Sequence, residues 1–182
     1  MLLCPSCSTE NPEIARFCLA CGAELAPAPT PEEERKPVTS VFVDIVGSTS
    51  RAEQLDPEDV LSLLEPYYAR LRSRLEQHGG TVEKYIGDAV VAVFGAPVAH
   101  EDDPERAVRA GLAILEAIDE LNEEDPTRGL SVRIGIATGD AIVSLAARQG
   151  ESRGLAWGDV LNTAARIQSA APSNGVLIGE ET

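Results

Sequence analysis

Two β-prone runs, Thr81-Val-Glu-Lys-Tyr-Ile86 and Ala89-Val-Val-Ala-Val-Phe94, are separated only by Gly87-Asp88. A two-residue link containing glycine admits little except a tight hairpin, so two strands must lie side by side and antiparallel. The flanking segments narrow the choice further. Val38 to Val46 is β-branched and mostly apolar, a buried strand interrupted by Asp44. Asp56-Pro57 opens a helix, with Val60, Leu61, Leu64, Tyr67, Tyr68, Leu71 and Leu75 at helical spacing before Gly79-Gly80 ends it. Pro66 falls inside that run, where proline kinks a helix. A second helix begins at Asp103-Pro104, with Ala107, Val108, Leu112, Leu115, Ile118 and Leu121 as its buried stripe. Leu130 to Ala137 reads as a strand and Ala141 to Leu145 as another. Gly158 to Ala171 reads as a helix stopped by Pro172, and Gly175 to Ile178 as a last short strand.

From Val38 to Ala137 the order is β-α-β-β-α-β. That order predicts an α+β fold with a ferredoxin-like core, an antiparallel sheet with helices on one face, extended by a further strand, helix and strand. In its usual strand order the first strand lies beside the third. Asp44, near the end of the first, and Asp88, at the start of the third, then share one edge of the sheet. Two neighbouring carboxylates repel unless a cation or a proton lies between them. Carboxylates together with substrate phosphates are a usual way to hold Mg²⁺, and two such ions activate an attacking hydroxyl and stabilise a leaving phosphate. Asp88 alone would be an ordinary turn residue. Asp44, an acid inside the strongest strand signal of the chain, would not.

Phe42-Val-Asp44-Ile-Val-Gly47-Ser-Thr49, Lys84-Tyr-Ile-Gly87-Asp88-Ala, Val132-Arg133-Ile-Gly135-Ile and Asn162-Thr-Ala-Ala-Arg166 stand in this order along the chain. Together they resemble the class III nucleotidyl cyclase catalytic domain over residues 38–182. The resemblance implies conversion of ATP to 3′,5′-cyclic AMP and pyrophosphate in intracellular signalling, with Asp44 and Asp88 holding two Mg²⁺ or Mn²⁺ ions. It implies that Arg133 contacts phosphate, and that Asn162 and Arg166, one helical turn apart, orient the ribose and offset charge developing in the transition state. It implies that Lys84 reads the purine, since an ammonium has only donors and suits adenine N1 rather than the N–H of guanine. Leu155 stands where the family's second base reader is usually Asp, Thr or Ser. Leucine accepts no hydrogen bond, which leaves relaxed selectivity or a backbone carbonyl as alternatives. The resemblance further implies a homodimer with shared sites, one protomer supplying the aspartates and Arg133 and the other Lys84, Asn162 and Arg166. The chain ends at Gly179-Glu-Glu-Thr182, before the family's closing helix and hairpin, which carry a lysine for the triphosphate. Two alternatives remain: a degenerate cyclase fold that binds nucleotide and regulates a partner, and another two-metal nucleotidyl transferase on a related palm-like fold, such as a diguanylate cyclase, which the Lys84 and Asn162/Arg166 placements and the absence of a Gly-Gly-Asp/Glu-Glu-Phe run disfavour.

All four cysteines precede this domain: Cys4-Pro-Ser-Cys7 and Cys18-Leu-Ala-Cys21. Paired C-x-x-C turns suit one tetrahedral Zn²⁺, and a segment of residues 1–25 is too short for a core of its own. With the Pro-rich stretch that follows it, it resembles the zinc ribbon that often precedes such domains in bacteria; its regulatory partner is unknown. Residues 26–37 are Pro-rich and charged, an extended linker. The net charge of −15 argues against a nucleic-acid or anionic-membrane surface. No apolar run reaches membrane-spanning length and Met1-Leu-Leu leads into no signal peptide, so a cytoplasmic protein is expected.

Overall fold

The computed structural model describes residues 2–4, 6–12, 15–25, 33–48, 56–144 and 155–182. Residues 26–32 of the expected linker, Thr49, Leu145 and the side chain of Leu61 lie outside them. The chain divides into two compact units, Met1–Glu32 and Glu33–Thr182.

In the first unit a short antiparallel pair, β1 (Leu2–Leu3) and β2 (Glu10–Asn11), sits beside a bridge between Phe17 and Glu24. Among its described residues the buried apolar cluster is Cys4, Cys18 and Leu25, with Ala15 and Ala23 against it. So little apolar area cannot offset the chain entropy of folding. The four sulfurs lie within 4.8 Å of one another, with Cys4 Sγ to Cys21 Sγ at 3.6 Å and Cys7 Sγ to Cys18 Sγ at 3.5 Å. A tetrahedral ion with Zn–S near 2.3 Å would set sulfurs about 3.8 Å apart, so the cluster fits zinc. Backbone N–H groups of Cys21 and Ala20 hold the Cys18 thiol down at about 6. At Cys21 the Ala23 N–H pulls the same way, but the neighbouring sulfurs of Cys7 and Cys4 push the thiol up to about 12. A divalent cation removes that clash of like charges. Buried Asn11 braces the knuckle, accepting the Leu19 N–H at 2.9 Å and donating to the Thr9 carbonyl at 2.8 Å. Chelation of zinc, or Cys4→Ser, is therefore expected to unfold residues 2–25 while the second unit keeps its melting transition. Elemental analysis should find one zinc per chain, and an ordered, zinc-free first unit would contradict this.

The second unit has a six-stranded sheet in the order β4-β5-β3-β6-β7, with β8 also on β6. Its strands are β3 (Glu33–Ile45), β4 (Thr81–Ile86), β5 (Ala89–Phe94), β6 (Val132–Ser144), β7 (Ala156–Trp157) and β8 (Gly175–Ile178). Helix α1 spans Pro57–Gln77, α2 Asp103–Glu124 and α3 Asp159–Ala170. β3 pairs antiparallel with both β5 and β6, as the ferredoxin-like order requires. Val41, Val43 and Ile45 of β3 alternate with residues facing the other way and share a core with Val90, Ala92 and Phe94, with Val132, Ile134 and Ile136, and with Tyr67, Leu71 and Ile114 from α1 and α2. The opposite face, Val91, Val93 and Ala137, is covered by Val160, Leu161 and Ala164 of α3 and by Ala156 of β7. The two helices of the βαββαβ core thus lie on one face, and the added helix closes the other.

Several expectations are revised in extent. β3 starts at Glu33, five residues before Val38, so Glu33 to Pro37 belongs to the sheet. Those residues are mostly exposed and charged, which hid the strand, and β5 pairs only from Thr39 to Val43, leaving Pro37 beyond its reach. The two expected strands Leu130–Ala137 and Ala141–Leu145 form one, β6, because Gly139 and Asp140 pair with Val38 and Pro37 rather than turning. Arg35 and Asp140 add an ion pair at 2.9 Å. α1 runs unbroken through Pro66, held by Tyr67, Leu71 and Leu75 in the core. Among the described residues no helix is long and apolar enough to cross a membrane.

Candidate active site

The β4–β5 turn places Gly87 at φ +60°, a conformation glycine adopts without a Cβ clash, and sets Asp88 at the start of β5. Asp44 is the penultimate residue of β3. The pairing of β3 with β5 brings the two acids together, and the Asp88 carboxylate accepts the backbone N–H of Ile45 at 3.1 Å. Both are half-buried. Burial and the adjoining Asp88 carboxylate raise the Asp44 pKa from 3.8 to about 6. Two carboxylates held this close favour a shared proton or a cation between them. Below the turn, the Tyr68 hydroxyl donates to the Gly87 carbonyl and the Tyr68 ring meets Tyr85 edge-on at 4.8 Å. The Tyr67 hydroxyl is fully buried without a hydrogen-bond partner, and burial followed by the Asp88 and Asp44 charges raises its pKa.

Arg133, on β6, is the cross-strand partner of Asp44 on β3. Cross-strand partners project to one face, so its guanidinium is on the Asp44 side, and its Nε is buried without a hydrogen-bond partner. Two carboxylates beside an unsatisfied cationic donor form a polar end to the sheet that suits a metal-bound phosphate. Gln168 completes this end: its Nε2 donates to Asp44 Oδ2 at 3.4 Å from a buried position on α3. Its signal in the sequence is spacing alone, since Val160, Ala164 and Gln168 recur at every fourth residue and put a polar side chain on an otherwise apolar stripe.

α3 can approach so closely only because residue 135 is glycine. A Cβ there would collide with the backbone of Gln168 and Ala164. Gly135→Ala is expected to push α3 off the sheet, lowering stability by about 1–3 kcal/mol or more in urea unfolding and withdrawing Gln168 from Asp44.

The remaining residues singled out in the sequence divide into two groups. Lys84 is opposite Val91 in the β4–β5 ladder, on the face covered by α3 and β7. Leu155 packs against the apolar cluster of that same face, so Lys84 and Leu155 share one side of the sheet. The Leu155 carbonyl accepts the Ser144 N–H at 3.0 Å and is already engaged. Asn162 and Arg166, by contrast, are exposed. At 3.6 residues per turn they lie about 120° and 160° around α3 from Gln168, so a helix that turns Gln168 to Asp44 turns them away. Arg166 instead donates to Thr163 Oγ1 at 2.9 Å and stands 3.6 Å from Asp159. Within one chain Asn162 and Arg166 do not converge with the aspartates.

Residues 30–182 match the adenylate and guanylate cyclase catalytic domain, and residues 3–25 match a zinc-ribbon domain. Adenylate cyclase 1 of Rhizobium meliloti (strain 1021) is 32% identical over 147 residues, covering 79% of this chain and 22% of the relative. Among solved structures, the guanylyl cyclase Cya2 is 31% identical with a TM-score of 0.75, over 81% of this chain and 77% of that one. The adenylyl cyclase CyaB from P. aeruginosa is likewise 31% identical with a TM-score of 0.75, over 82% and 80%. The chain spans only 14% to 29% of the length of the curated relatives it matches. Proteins of this family bind a nucleotide substrate and often dimerise. With the catalytic-domain match extending over most of the chain and the fold in agreement, this chain belongs to the class III adenylate and guanylate cyclase family and carries an N-terminal zinc ribbon.

Proposed function

We propose that the second unit is an adenylate cyclase that converts ATP to 3′,5′-cyclic AMP and pyrophosphate. The observation that carries this reading is the meeting of Asp44 and Asp88 at one end of the sheet, with Arg133 across the strand from Asp44. Both carboxylates would hold divalent cations, Mg²⁺ or Mn²⁺, which would lower the pKa of the ribose 3′-hydroxyl and offset the charge of the triphosphate. Gln168 fixes the Asp44 carboxylate through its amide, and the Ile45 N–H fixes that of Asp88, so the ligand oxygens are oriented before substrate arrives. Arg133 directs a buried donor with no protein partner toward the phosphates. Lys84 donates to adenine N1, and Leu155 offers the base an apolar contact.

Asn162 and Arg166 act on the ribose and the transferring phosphoryl group of the partner's substrate. Their exposure and their direction away from Asp44 support a site completed by a second copy of the chain, head to tail, with two equivalent sites per dimer. The zinc ribbon would serve an unidentified regulatory partner.

Leu155 favours a second reading, a nucleotide-binding module with weak or relaxed turnover, because its side chain cannot receive the adenine amine and its carbonyl already accepts the Ser144 N–H. One assay separates the two: purified protein with ATP or GTP, in Mg²⁺ or Mn²⁺, with products identified. Cyclic AMP from ATP is expected, with little cyclic GMP. Lys84→Glu should weaken ATP use by about tenfold or more and admit GTP, because it exchanges donors for acceptors at the purine edge. Unchanged ATP kinetics in this variant would remove Lys84 from the base contact, and no turnover of either nucleotide would leave the binding module.

A further inference from the structure

Among the described residues Glu83 is the one acid with both carboxylate oxygens buried and neither hydrogen-bonded. Its side chain is 2% exposed, whereas that of Lys84 is 48% exposed, and Lys84 Nζ stands 3.6 Å from Glu83 Oε1. Successive residues of a strand ordinarily point to opposite faces. Here the β4–β5 pairing slips: Val82 is opposite Ala92, but Lys84 is opposite Val91. Glu83 is the extra residue of a β-bulge, a device that re-aims side chains. Val82 keeps its place in the core under α1 and α2, and Lys84 comes to the same face as Glu83, toward β7. Burial raises the Glu83 pKa from its ordinary value, while the Lys84 charge and the nearby Ala156 N–H oppose that shift without cancelling it.

Such a group costs the fold stability. A buried carboxylate of this kind loses its hydration and gains only a long ion pair and one nearby backbone N–H in return. Features of this kind persist where they serve a function. What Glu83 has within reach is the Lys84 ammonium, and Lys84 needs an anchor: it has a flexible four-carbon stem on the outermost strand of the sheet. With leucine at position 155, Lys84 is also the sole polar side chain assigned to the base.

We propose that Glu83 is a positioning residue whose bulge-buried carboxylate holds the Lys84 ammonium at the purine edge. The proposal rests on the reading of Lys84 as the base contact. An ammonium already confined beside a fixed negative charge loses less freedom when substrate binds, and the bulge is what brings the two side chains to one face.

The experiment is a double-mutant cycle on the two-unit chain with Glu83→Gln, Lys84→Met and the double variant, recording kcat and KM for ATP and the melting temperature. Glu83→Gln keeps the shape and removes the charge. It is expected to raise KM about tenfold, the scale of one charge-assisted contact, with kcat little changed. Its melting temperature should equal or exceed that of the unaltered chain, because a buried charge only weakly compensated by one long ion pair has been removed. In the Lys84→Met background the same change should leave KM where Lys84→Met alone put it. An additive KM effect in that background, an unchanged KM in Glu83→Gln alone, or a lower melting temperature would overturn the role of Glu83 while leaving the adenine reading in place. An unaltered chain that does not cyclise ATP, or Lys84→Met with unchanged KM, would overturn the adenine reading and this proposal with it.

Discussion

Asp44→Ala and Asp88→Ala are each expected to lower turnover about a thousandfold, since the metal's charge stabilisation amounts to several kcal/mol and roughly 1.4 kcal/mol is a factor of ten. The fold should survive, because each substitution relieves repulsion between half-buried acids instead of opening the core. The same pair makes a prediction without metal or substrate. In the folded, metal-free chain Asp44 keeps its proton up to about pH 6, against 3.8 for the ordinary group. The folded state therefore binds the proton more tightly than the unfolded chain does. This contribution to stability is fully present below pH 3.8 and is lost as pH rises through about 6. Asp44→Asn should flatten that part of the stability curve in urea unfolding with chelator present. Turnover near the unaltered level in either alanine variant would remove the two-aspartate site.

Mixing two dead variants is expected to restore activity. Asp44→Ala spoils the half-site that holds cation, and Asn162→Ala the half-site that holds ribose, so each homodimer carries two broken sites. Random exchange puts half of the chains' dimers in mixed form, each with one intact site, so about a quarter of full activity should return. Activity should also fall on dilution as dimers separate. The two variants labelled with different fluorophores report whether mixed dimers form. Mixed dimers that stay inactive would show that Asn162 and Arg166 do not act across an interface. In that case α3 would have to reorient to bring them to Asp44 in the same chain, against the packing of Ala164 and Gln168 over Gly135.

Much of this is legible in the sequence. The Gly87-Asp88 hairpin, the two long amphipathic helices and the apolar strand around Asp44 are local patterns of period 2 or 3.6, and their order implies the ferredoxin-like strand arrangement. That arrangement alone places Asp44 beside Asp88, and the spacing of Cys4, Cys7, Cys18 and Cys21 alone describes a four-sulfur knuckle. Local pattern says which side of an element is buried. It does not say what covers that side or how closely, and those questions were decided in three dimensions. Gln168 reaches Asp44 because Gly135 lets a helix backbone rest on a strand 33 positions earlier in the chain. The charged stretch Glu33 to Pro37 becomes sheet because Asp140 to Ser144 offers it a ladder. Glu83 and Lys84 face one way only because the register of β4 slips by one residue against β5, and Asn162 and Arg166 face solvent because α3 spends its other side on the sheet. Each of these depends on register or close approach between segments distant in the chain, which composition and periodicity within a single segment do not encode.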